Sequence, residues 1–553
     1  MNLRNKFLTS LYLVLTITGL ALPQHLSAKH HKDIFSWPSY GKDNNNSRFA
    51  ENERMINIFN VQNLKVKWTF TTLDNRTTPP RPAAVAGNPS IMDDVMYFAD
   101  DAGSVYALNA ITGQLIWQRS DLIPCFPNPN PQPFPACPSV PADPCLDSPG
   151  IALTPTLGKK YVYVASANHW VFALNKKDGS TAWSKQIQGL DFNNLITSAT
   201  TLIEEENLLI VPVGIISIGP LTPIPGYLIA LNAKNGDEIW RFQTTLKPNN
   251  PGCPKGHSGC TDGGTGVGIF AGSPAVDTNK GLLFIGTGEN IFVQGFPVPQ
   301  ITPIADSLLA FNYRTKNPNG KVKWFTQFVN DDIFGCSLVD CPSGQNKDWD
   351  ASGGPYLLTI GSCNCKRDIV VIGTKEGKLF ALDRKDGSII WTTVLTNPSP
   401  QGSPLNGVNT FGCTDGETIF VPSHYSKSGL PISPFAPDAY NGDLTGTGIF
   451  AVRGSDGAQL WRVDFPGLTV GPLTLANGVV YHTTVLGTLR ALDARNGRVL
   501  FTYQDDVSPV PAFNGLVGGT TVYKGMVYVP RGSGAIFFGS GFCVPGGIVA
   551  LGF

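Results

Sequence analysis

The segment GTKEGKLFALDRKDGSIIW, residues 373–391, contains the pattern that predicts the fold. An apolar run at 379–382 is followed by the pair Asp386-Gly387 and then by a second apolar run at 389–391. Glycine accepts the positive φ that a tight turn requires, so two apolar runs joined in this way predict a β-hairpin. An isolated hairpin is only marginally stable in water, and this one must therefore pack against others.

The same pattern recurs along the chain, with an alanine in the first strand and an aromatic residue at the end of the second. The copies are DAGSVYALNAITGQLIW (101–117), ANHWVFALNKKDGSTAW (167–183), PGYLIALNAKNGDEIW (225–240), SLLAFNYRTKNPNGKVKW (307–324), GTGIFAVRGSDGAQLW (446–461) and LGTLRALDARNGRVLF (486–501). A small side chain is expected where sheet faces pack tightly, and each tryptophan offers a large apolar face to the neighbouring unit. We therefore interpret these tryptophans as core residues.

The two ends of the chain carry complementary halves of the repeat. The chain ends on GGIVALGF (546–553), which is the first half of the hairpin, and the segment 61–70 around Trp68 supplies the second half without a partner. Joining the two halves completes one more unit and closes a ring, which leaves no exposed sheet edge. With Trp at 68, 117, 183, 240, 324, 391 and 461 and Phe at 501, the sequence predicts an all-β, eight-bladed β-propeller closed by its N- and C-terminal strands.

Composition and charge agree with an exported β protein. The 553 residues include 60 Gly and 44 Pro, and 41 basic residues balance 41 acidic ones, which argues against a nucleic-acid-binding surface. Residues 1–28 resemble a signal peptide, with a basic start, an apolar stretch at 7–22 and the cleavage-like triplet 26–28, although a retained membrane anchor is the alternative. We expect a periplasmic or secreted protein in which 29–553 form a single propeller domain without a further membrane-spanning segment.

Eleven cysteines in an exported chain predict disulfides. Cys253 with Cys260 and Cys336 with Cys341 have the spacing of small loop closures, and the odd count leaves one thiol over. A metal site built on cysteine is the weaker alternative, because the sequence contains no C-x-x-C pair.

The repeat resembles the tryptophan-docking motif of pyrroloquinoline-quinone (PQQ) dehydrogenases, and it is most similar to the polyvinyl-alcohol-dehydrogenase-like branch of that superfamily. The resemblance extends over essentially the whole mature chain, including the segments 263–277, 282–290 and 347–358. The opening pattern W-x-x-Y-G-x-D-x-x-N-x-R is matched by Trp37, Tyr40, Gly41, Asp43, Asn46 and Arg48. The resemblance implies a PQQ cofactor at the mouth of the central channel, with a Ca²⁺ ion beside it.

The resemblance also implies roles for individual residues. Asp350 matches the catalytic base, with Asp348 as the alternative, and Lys375 matches the side chain that contacts the quinone. The further residues implied at the site are Gly264, Thr265 and Asn290 for the cofactor, and Glu289, Asn290 and Asp350 for the metal. The structural alternative for Asp350 is a turn-forming aspartate, that for Lys375 is an exposed loop charge, and that for Glu289 and Asn290 is a loop cap.

Three features depart from the family pattern. The stretch 211–226 contains no acid where the family has another metal carboxylate, the adjacent-cysteine pair is absent, and Val267 stands near the place of an aromatic floor. Glu289 is the hypothetical replacement for the missing negative charge. Because of these losses, a site that no longer binds its cofactor remains an alternative interpretation.

Two functions are therefore weighed. The first is an exported PQQ- and Ca²⁺-dependent alcohol dehydrogenase that oxidises a secondary or polymeric alcohol, with Asp350 taking the hydroxyl proton while hydride passes to the cofactor. Since the sequence has no C-x-x-C-H haem motif, electrons would pass to a separate cytochrome c or quinone. The alternative is a cofactor-free propeller that acts as a binding scaffold of the cell envelope.

Overall fold

The structure, a computed structural model, describes residues 33–74, 81–122, 154–166, 168–190, 194–196, 198–215, 225–244, 267–269, 272–291, 302–315, 321–330, 332–334, 347–361, 366–397, 405–429, 432, 441–505, 515–532 and 546–553. Phe35–Phe553 form one compact unit. The predicted signal peptide and the predicted cysteine pairs lie outside the described residues. Cys413, which lies inside them, is a buried free thiol.

The strands group into eight main antiparallel sheets, which are the blades. Strands β1 (Phe49–Ala50), β2 (Lys65–Asp74) and β3 (Arg81–Pro82) come first. Blades 1 to 3 contain β4 (Ser90–Met92), β5 (Val95–Ala99), β6 (Val105–Asn109) and β7 (Leu115–Arg119); β8 (Thr156–Leu157), β9 (Tyr161–Ala165), β10 (Trp170–Asn175) and β11 (Thr181–Gln186); and β12 (Asn194–Leu195), β13 (Thr201–Ile203), β14 (Leu208–Ile215), β15 (Tyr227–Asn232) and β16 (Glu238–Gln243).

The next four blades follow in chain order. They contain β17 (Ala275–Asp277), β18 (Leu282–Gly286), β20 (Ser307–Asn312) and β21 (Val322–Gln327); β23 (Gly353–Ile360), β24 (Arg367–Gly373), β25 (Lys378–Asp383) and β26 (Ile389–Val394); β27 (Cys413–Thr414), β28 (Thr418–Ser426), β29 (Thr445–Arg453) and β30 (Gln459–Pro466); and β31 (Thr474–Ala476), β32 (Val479–Thr483), β33 (Thr488–Asp493) and β34 (Val499–Gln504). A separate parallel pair joins β19 (Asn290–Ile291) to β22 (Ile333–Phe334).

Blade 8 closes the ring as the sequence predicts. Its strands β35 (Thr521–Tyr523), β36 (Met526–Arg531) and β37 (Gly546–Gly552) come from the C-terminus, and β2 pairs with β37 so that Trp68 lies opposite Ala550. The all-β, eight-bladed propeller is thus confirmed. The helical elements of the described residues are two short 3-10 turns, Val61–Asn63 and Glu204–Glu206. In that part of the chain, no helix has the length and apolar character needed to cross a membrane.

The repeated alanine and tryptophan form one packing unit. In every blade the alanine lies directly opposite the aromatic residue across the last two strands, as Ala381 does opposite Trp391. In six of the seven repeat tryptophans, all except Trp240, the indole N–H donates to a carbonyl of the next blade, in the pairs Trp68–Ile111, Trp117–Lys176, Trp183–Ala233, Trp324–Arg384, Trp391–Gly454 and Trp461–Ala494. The predicted contact between tryptophan and the neighbouring blade is confirmed.

The turn glycine is part of the same contact. Gly387 has φ +77°, and a Cβ added there would lie 2.5 Å from the ring of Trp324 in the preceding blade. Glycine is thus required both for its backbone conformation and for the close approach of the indole. The Asp-Gly turn that predicts the hairpin also sets the distance between blades.

The opening segment 37–48 lies along the first strands of the blades. Backbone hydrogen bonds join it to Ile91, Leu157, Val276, Leu357, Thr414 and Leu475. These residues belong to β4, β8, β17, β23, β27 and β31, which are the first strands of six different blades. Because one short segment contacts all six, it must occupy the centre of the ring, and the first strands must be the innermost ones.

Candidate functional site

The candidate site is built from loops of blades 4 and 5 that leave the sheets at the same end. Glu289 and Asp306 lie at the two ends of the connection from β18 to β20, Asp350 lies just before β23, and Lys375 just after β24. In a four-stranded antiparallel blade, the connection between the second and third strands emerges at the same end as the connection to the next blade. The topology therefore brings together Glu289, Asp350 and Lys375, which the sequence predicts as site residues.

Hydrogen bonds lock these loops to one another. The backbone N–H of Lys375 donates to the carbonyl of Asp350 at 3.0 Å, and the N–H of Asp306 donates to the carbonyl of Gly288 at 2.9 Å. The N–H of Glu289 donates to Oδ1 of Asp350 at 3.0 Å, across the junction between the two blades. The carboxylate of Asp350 is consequently fixed by groups from both blades.

Lys375 lies between two buried carboxyl groups. Its Nζ is 2.5 Å from Oδ1 of Asp348 and also forms an ion pair with Oδ2 of Asp350, and the three side chains are only 13%, 4% and 4% exposed. Burial lowers the pKa of Lys375, but the charges of Asp348, Asp350 and Glu289 outweigh it and hold that pKa well above its usual value.

The two aspartates differ in their protonation behaviour. Burial raises the pKa of Asp350, yet Lys375 and the hydrogen bonds from Glu289 outweigh this and hold it below the usual value. For Asp348, burial outweighs the attraction of Lys375, and its pKa is raised. Asp350 is therefore the carboxyl that is held in its ionised form.

Two further carboxyls complete a cluster with Asp350. One oxygen from each of Glu289, Asp306 and Asp350 lies within 4.8 Å of the others. Burial, reinforced by neighbouring carboxylates, raises the pKa of Glu289 and of Asp306 well above the usual values. Oxygen donors gathered in this way suit a hard cation such as Ca²⁺.

Asp306 is a site residue that the sequence prediction missed. It directly precedes β20, the strand that opens the repeat copy 307–324. The family pattern places the missing acid ahead of the preceding copy, at 211–226, and that stretch contains none. An acid placed immediately before a repeat strand is the signal that could have found Asp306.

Asp332 holds the loop that carries Asp348 and Asp350. Its Oδ1 accepts the N–H groups of Lys347 at 2.7 Å and Asp348 at 3.1 Å, and its Oδ2 accepts that of Trp349 at 2.9 Å. Burial nevertheless raises the pKa of Asp332 to about 6, against the effect of these hydrogen bonds. These hydrogen bonds could not be predicted from the sequence, because they join groups that are not adjacent in the chain.

The remaining predicted site residues are Asn290, Gly264 and Thr265. The Asn290 side chain donates from Nδ2 to the carbonyl of Asp332 at 3.3 Å and accepts at Oδ1 from the N–H of Thr302 at 2.6 Å. Its amide therefore joins two loops, and its predicted contacts with metal and cofactor stay predictions. Gly264 and Thr265 lie outside the described residues.

Replacing Lys375 with methionine is expected to destabilise the metal-free protein by about 3 kcal/mol at pH 7, because two buried carboxylates lose their cation. Their folded-state pKa values would then lie above the unfolded value of about 4, so the deficit is small below pH 4 and grows as the pH rises. Urea unfolding of the wild type and the Lys375→Met variant in EDTA at pH 4 and pH 7 measures this difference in the free energy of unfolding.

The matched control for this prediction is Lys280→Met. Lys280 Nζ lies 2.6 Å from Asp368 Oδ2, but the two side chains are 45% and 37% exposed. An exposed ion pair contributes less than about 1 kcal/mol, and its loss should be small at both pH values. Equal losses in the two variants would contradict the stabilising role of the buried Lys375 pair.

Comparison with known proteins gives consistent matches. The family model described as the glucose/ethanol/alcohol dehydrogenase β-propeller domain, named for PQQ, matches residues 37–129 and 191–408, more than half of the chain. A second model, described as outer membrane protein assembly factor BamB, matches residues 444–538.

Individual relatives cover most of the chain. A polyvinylalcohol dehydrogenase of a Pseudomonas species is 25% identical over 90% of this chain and 73% of its own length. A second polyvinylalcohol dehydrogenase, from a Sphingopyxis species, is 23% identical over 93% of this chain and 76% of its own. The crystal structure of quinohemoprotein alcohol dehydrogenase from Comamonas testosteroni superposes with a TM-score of 0.65 at 18% identity, covering 94% of this chain and 80% of that one.

Proposed function

This chain belongs to the family of PQQ-dependent β-propeller alcohol dehydrogenases, and we propose that it is itself an exported, PQQ- and Ca²⁺-dependent alcohol dehydrogenase. The observation that carries the proposal is the buried contact of Lys375 with Asp350, next to the carboxyls of Glu289 and Asp306. A binding scaffold has no need for one buried cluster that contains an ion pair and carboxyl oxygens without a hydrogen-bond partner among the described residues. The cluster is therefore better explained by redox catalysis at this end of the propeller.

Asp350 is proposed as the general base. A base must be ionised at working pH and must lie within hydrogen-bond reach of the proton that it accepts. Lys375 and the N–H of Glu289 keep Asp350 ionised and fix its orientation. The loop clamp by Asp332 holds the carboxylate in place while the substrate hydroxyl approaches.

The residues present fit the cation and the cofactor that the family uses. Oε2 of Glu289 has no hydrogen-bond partner among the described residues, and the cluster offers oxygen donors only. We propose that Glu289 and Asp350 would hold Ca²⁺ and that Lys375 would supply positive charge for binding the anionic cofactor. When bound, PQQ supplies the two-electron acceptor for alcohol oxidation, and the cation increases its electrophilicity.

The substrate and the electron acceptor are proposed at a coarser level. Two relatives are named polyvinylalcohol dehydrogenase, which supports a secondary or polymeric alcohol as substrate. The sequence lacks a C-x-x-C-H motif, which supports a separate cytochrome c or quinone as acceptor. The resemblance of residues 1–28 to a signal peptide supports function in the periplasm or outside the cell.

Titration of the purified protein with PQQ tests the proposal. We expect saturable binding near one equivalent that depends on Ca²⁺ and raises the melting temperature, because a ligand that binds only the folded state stabilises it. Asp350→Ala and Lys375→Ala should abolish this shift, whereas the exposed Lys280→Ala should keep it. A wild-type protein that does not bind PQQ with Ca²⁺ present would overturn the dehydrogenase proposal and favour the envelope scaffold.

A further inference from the structure

We propose that Asp306 is the third carboxylate ligand of the metal site and takes the place of the acid that is missing from residues 211–226. This inference deepens the proposed function and rests on it, since the cation is the one proposed to accompany PQQ. Its starting observation is that Oδ1 and Oδ2 of Asp306 have no hydrogen-bond partner among the described residues, although the residue is only 1% exposed.

The sequence of residues 211–226 contains no acid, and the structure describes residues 211–215 and 225–226 of this stretch. Strand β14 (Leu208–Ile215) is buried along its whole length and consists of apolar residues, so this wall contributes no charged ligand. Asp306 belongs to the next blade and directs a carboxyl oxygen to within 4.8 Å of those of Glu289 and Asp350. The oxygen donor lost from one blade is thus available from its neighbour.

The backbone of Asp306 is held rigidly in an unusual conformation. Its φ is +47°, and its N–H and carbonyl are bonded to Gly288 and Phe328, both at 2.9 Å. A positive φ is uncommon outside glycine, and aspartate and asparagine are among the residues that tolerate it best. The carboxyl is therefore presented from a fixed position, as a metal ligand must be.

Energetics argue against a purely structural role. A buried carboxylate without a donor costs several kcal/mol, and structural carboxylates in this protein do have donors. Asp332 accepts three N–H groups, and Asp277 in the same blade as Asp306 accepts from Nη1 of Arg384 at 3.0 Å. Asp306 lacks any such partner among the described residues, so its retention indicates a ligand.

The charge of the cluster points to the same conclusion. Glu289, Asp306 and Asp350 form one buried group of carboxyls, and the ammonium of Lys375 contacts Asp350 of this group and a fourth carboxyl, that of Asp348. A divalent cation would offset much of this excess, and a set of oxygen donors favours Ca²⁺ over zinc or copper. Because the ligands come from blades 4 and 5, the ion would also join the two blades.

Calcium binding to the PQQ-free protein tests this inference. Calorimetry with CaCl₂ and thermal unfolding in EDTA or Ca²⁺ are compared for the wild type, Asp306→Asn and the control Asp277→Asn. For D306N we expect at least about a tenfold rise in the Ca²⁺ Kd, a lost Ca²⁺-induced shift in Tm, and an unchanged or higher Tm in EDTA. Asparagine suits the positive φ and removes only the charge.

The control has the opposite expected behaviour. D277N breaks the bond to Arg384 and should lower the Tm in EDTA while leaving the Ca²⁺ Kd unchanged. Wild-type Ca²⁺ affinity in D306N, or a wild type that does not bind Ca²⁺, would overturn the ligand role. PQQ binding measured on the same samples separates the two proposals. If the wild type binds PQQ but D306N keeps wild-type Ca²⁺ affinity, only the ligand role of Asp306 is overturned. If D306N loses Ca²⁺ affinity but the wild type does not bind PQQ, only the dehydrogenase proposal is overturned.

Discussion

Replacing Asp350 with asparagine is expected to lower kcat for alcohol oxidation about a thousandfold, which is within the range that general-base catalysis contributes. Asparagine has nearly the same shape and can still accept the N–H of Glu289, but its amide cannot take up the hydroxyl proton. The assay uses protein loaded with PQQ and Ca²⁺ and an artificial electron acceptor, with bound PQQ quantified separately. The loss should remain after correction for cofactor content.

Asp348→Asn is the matched control. Asp348 is equally buried and contacts the same ammonium, but it lies outside the group of three clustered oxygens. Its loss leaves the proposed base in place, and kcat should fall by less than about tenfold. A thousandfold loss in D348N with a mild effect in D350N would instead assign the base to Asp348, the alternative that the sequence analysis keeps open.

The fold could be predicted almost completely from the repeat, because the interactions that define it are local. An Ala and a Trp ten residues apart lie opposite each other once the Asp-Gly turn forms, as the pair Ala381 and Trp391 shows. Ring closure required only that two unmatched half-repeats be recognised. The sequence did not reveal that segment 37–48 occupies the centre of the ring, since its partners are spread over the whole chain.

A site residue could be predicted where it lies only a few positions away from a repeat in the sequence. Lys375 lies just ahead of β25, and the structure places its ammonium against Asp350, whereas the contact with the quinone that the resemblance implies stays a prediction. Asp306 and Asp332 were missed for a physical reason. Asp306 is distinguished by carboxyl oxygens that have no hydrogen-bond partner among the described residues, and Asp332 by the three loop N–H groups that it accepts. Neither property can be read from neighbouring residues in the sequence.

Replacement of Arg48, a residue of the opening motif 37–48, has the largest expected effect on the stability of the fold. Its side chain is fully buried and packs against the rings of Trp37 and Tyr40. All five donor positions are used, with Leu473 O, Tyr40 O, Asn88 Oδ1, Thr474 Oγ1 and Thr520 O as acceptors. Burial lowers the pKa of Arg48 to about 10, so the guanidinium stays charged at neutral pH and links blades 1, 7 and 8.

Arg48→Met is expected to lower the free energy of unfolding by about 5 kcal/mol or more, because each buried acceptor left without a donor costs about 1–3 kcal/mol. That loss is comparable with the whole stability of many domains, so much of the variant should be unfolded or insoluble at 37 °C. Arg48→Lys keeps the charge with fewer donors and should give an intermediate loss that urea unfolding can measure.

Arg453→Met is the control for the removal of an arginine. Nη1 of Arg453 lies 2.8 Å from Oδ2 of Asp456, but the two side chains are 50% and 51% exposed, and the loss of this exposed pair should leave the free energy of unfolding nearly unchanged. If R48M unfolds at nearly the same urea concentration as R453M, the central segment does not hold the ring together. Stability would then reside in the tryptophan contacts between blades, and the arginine of the opening motif would need a different explanation.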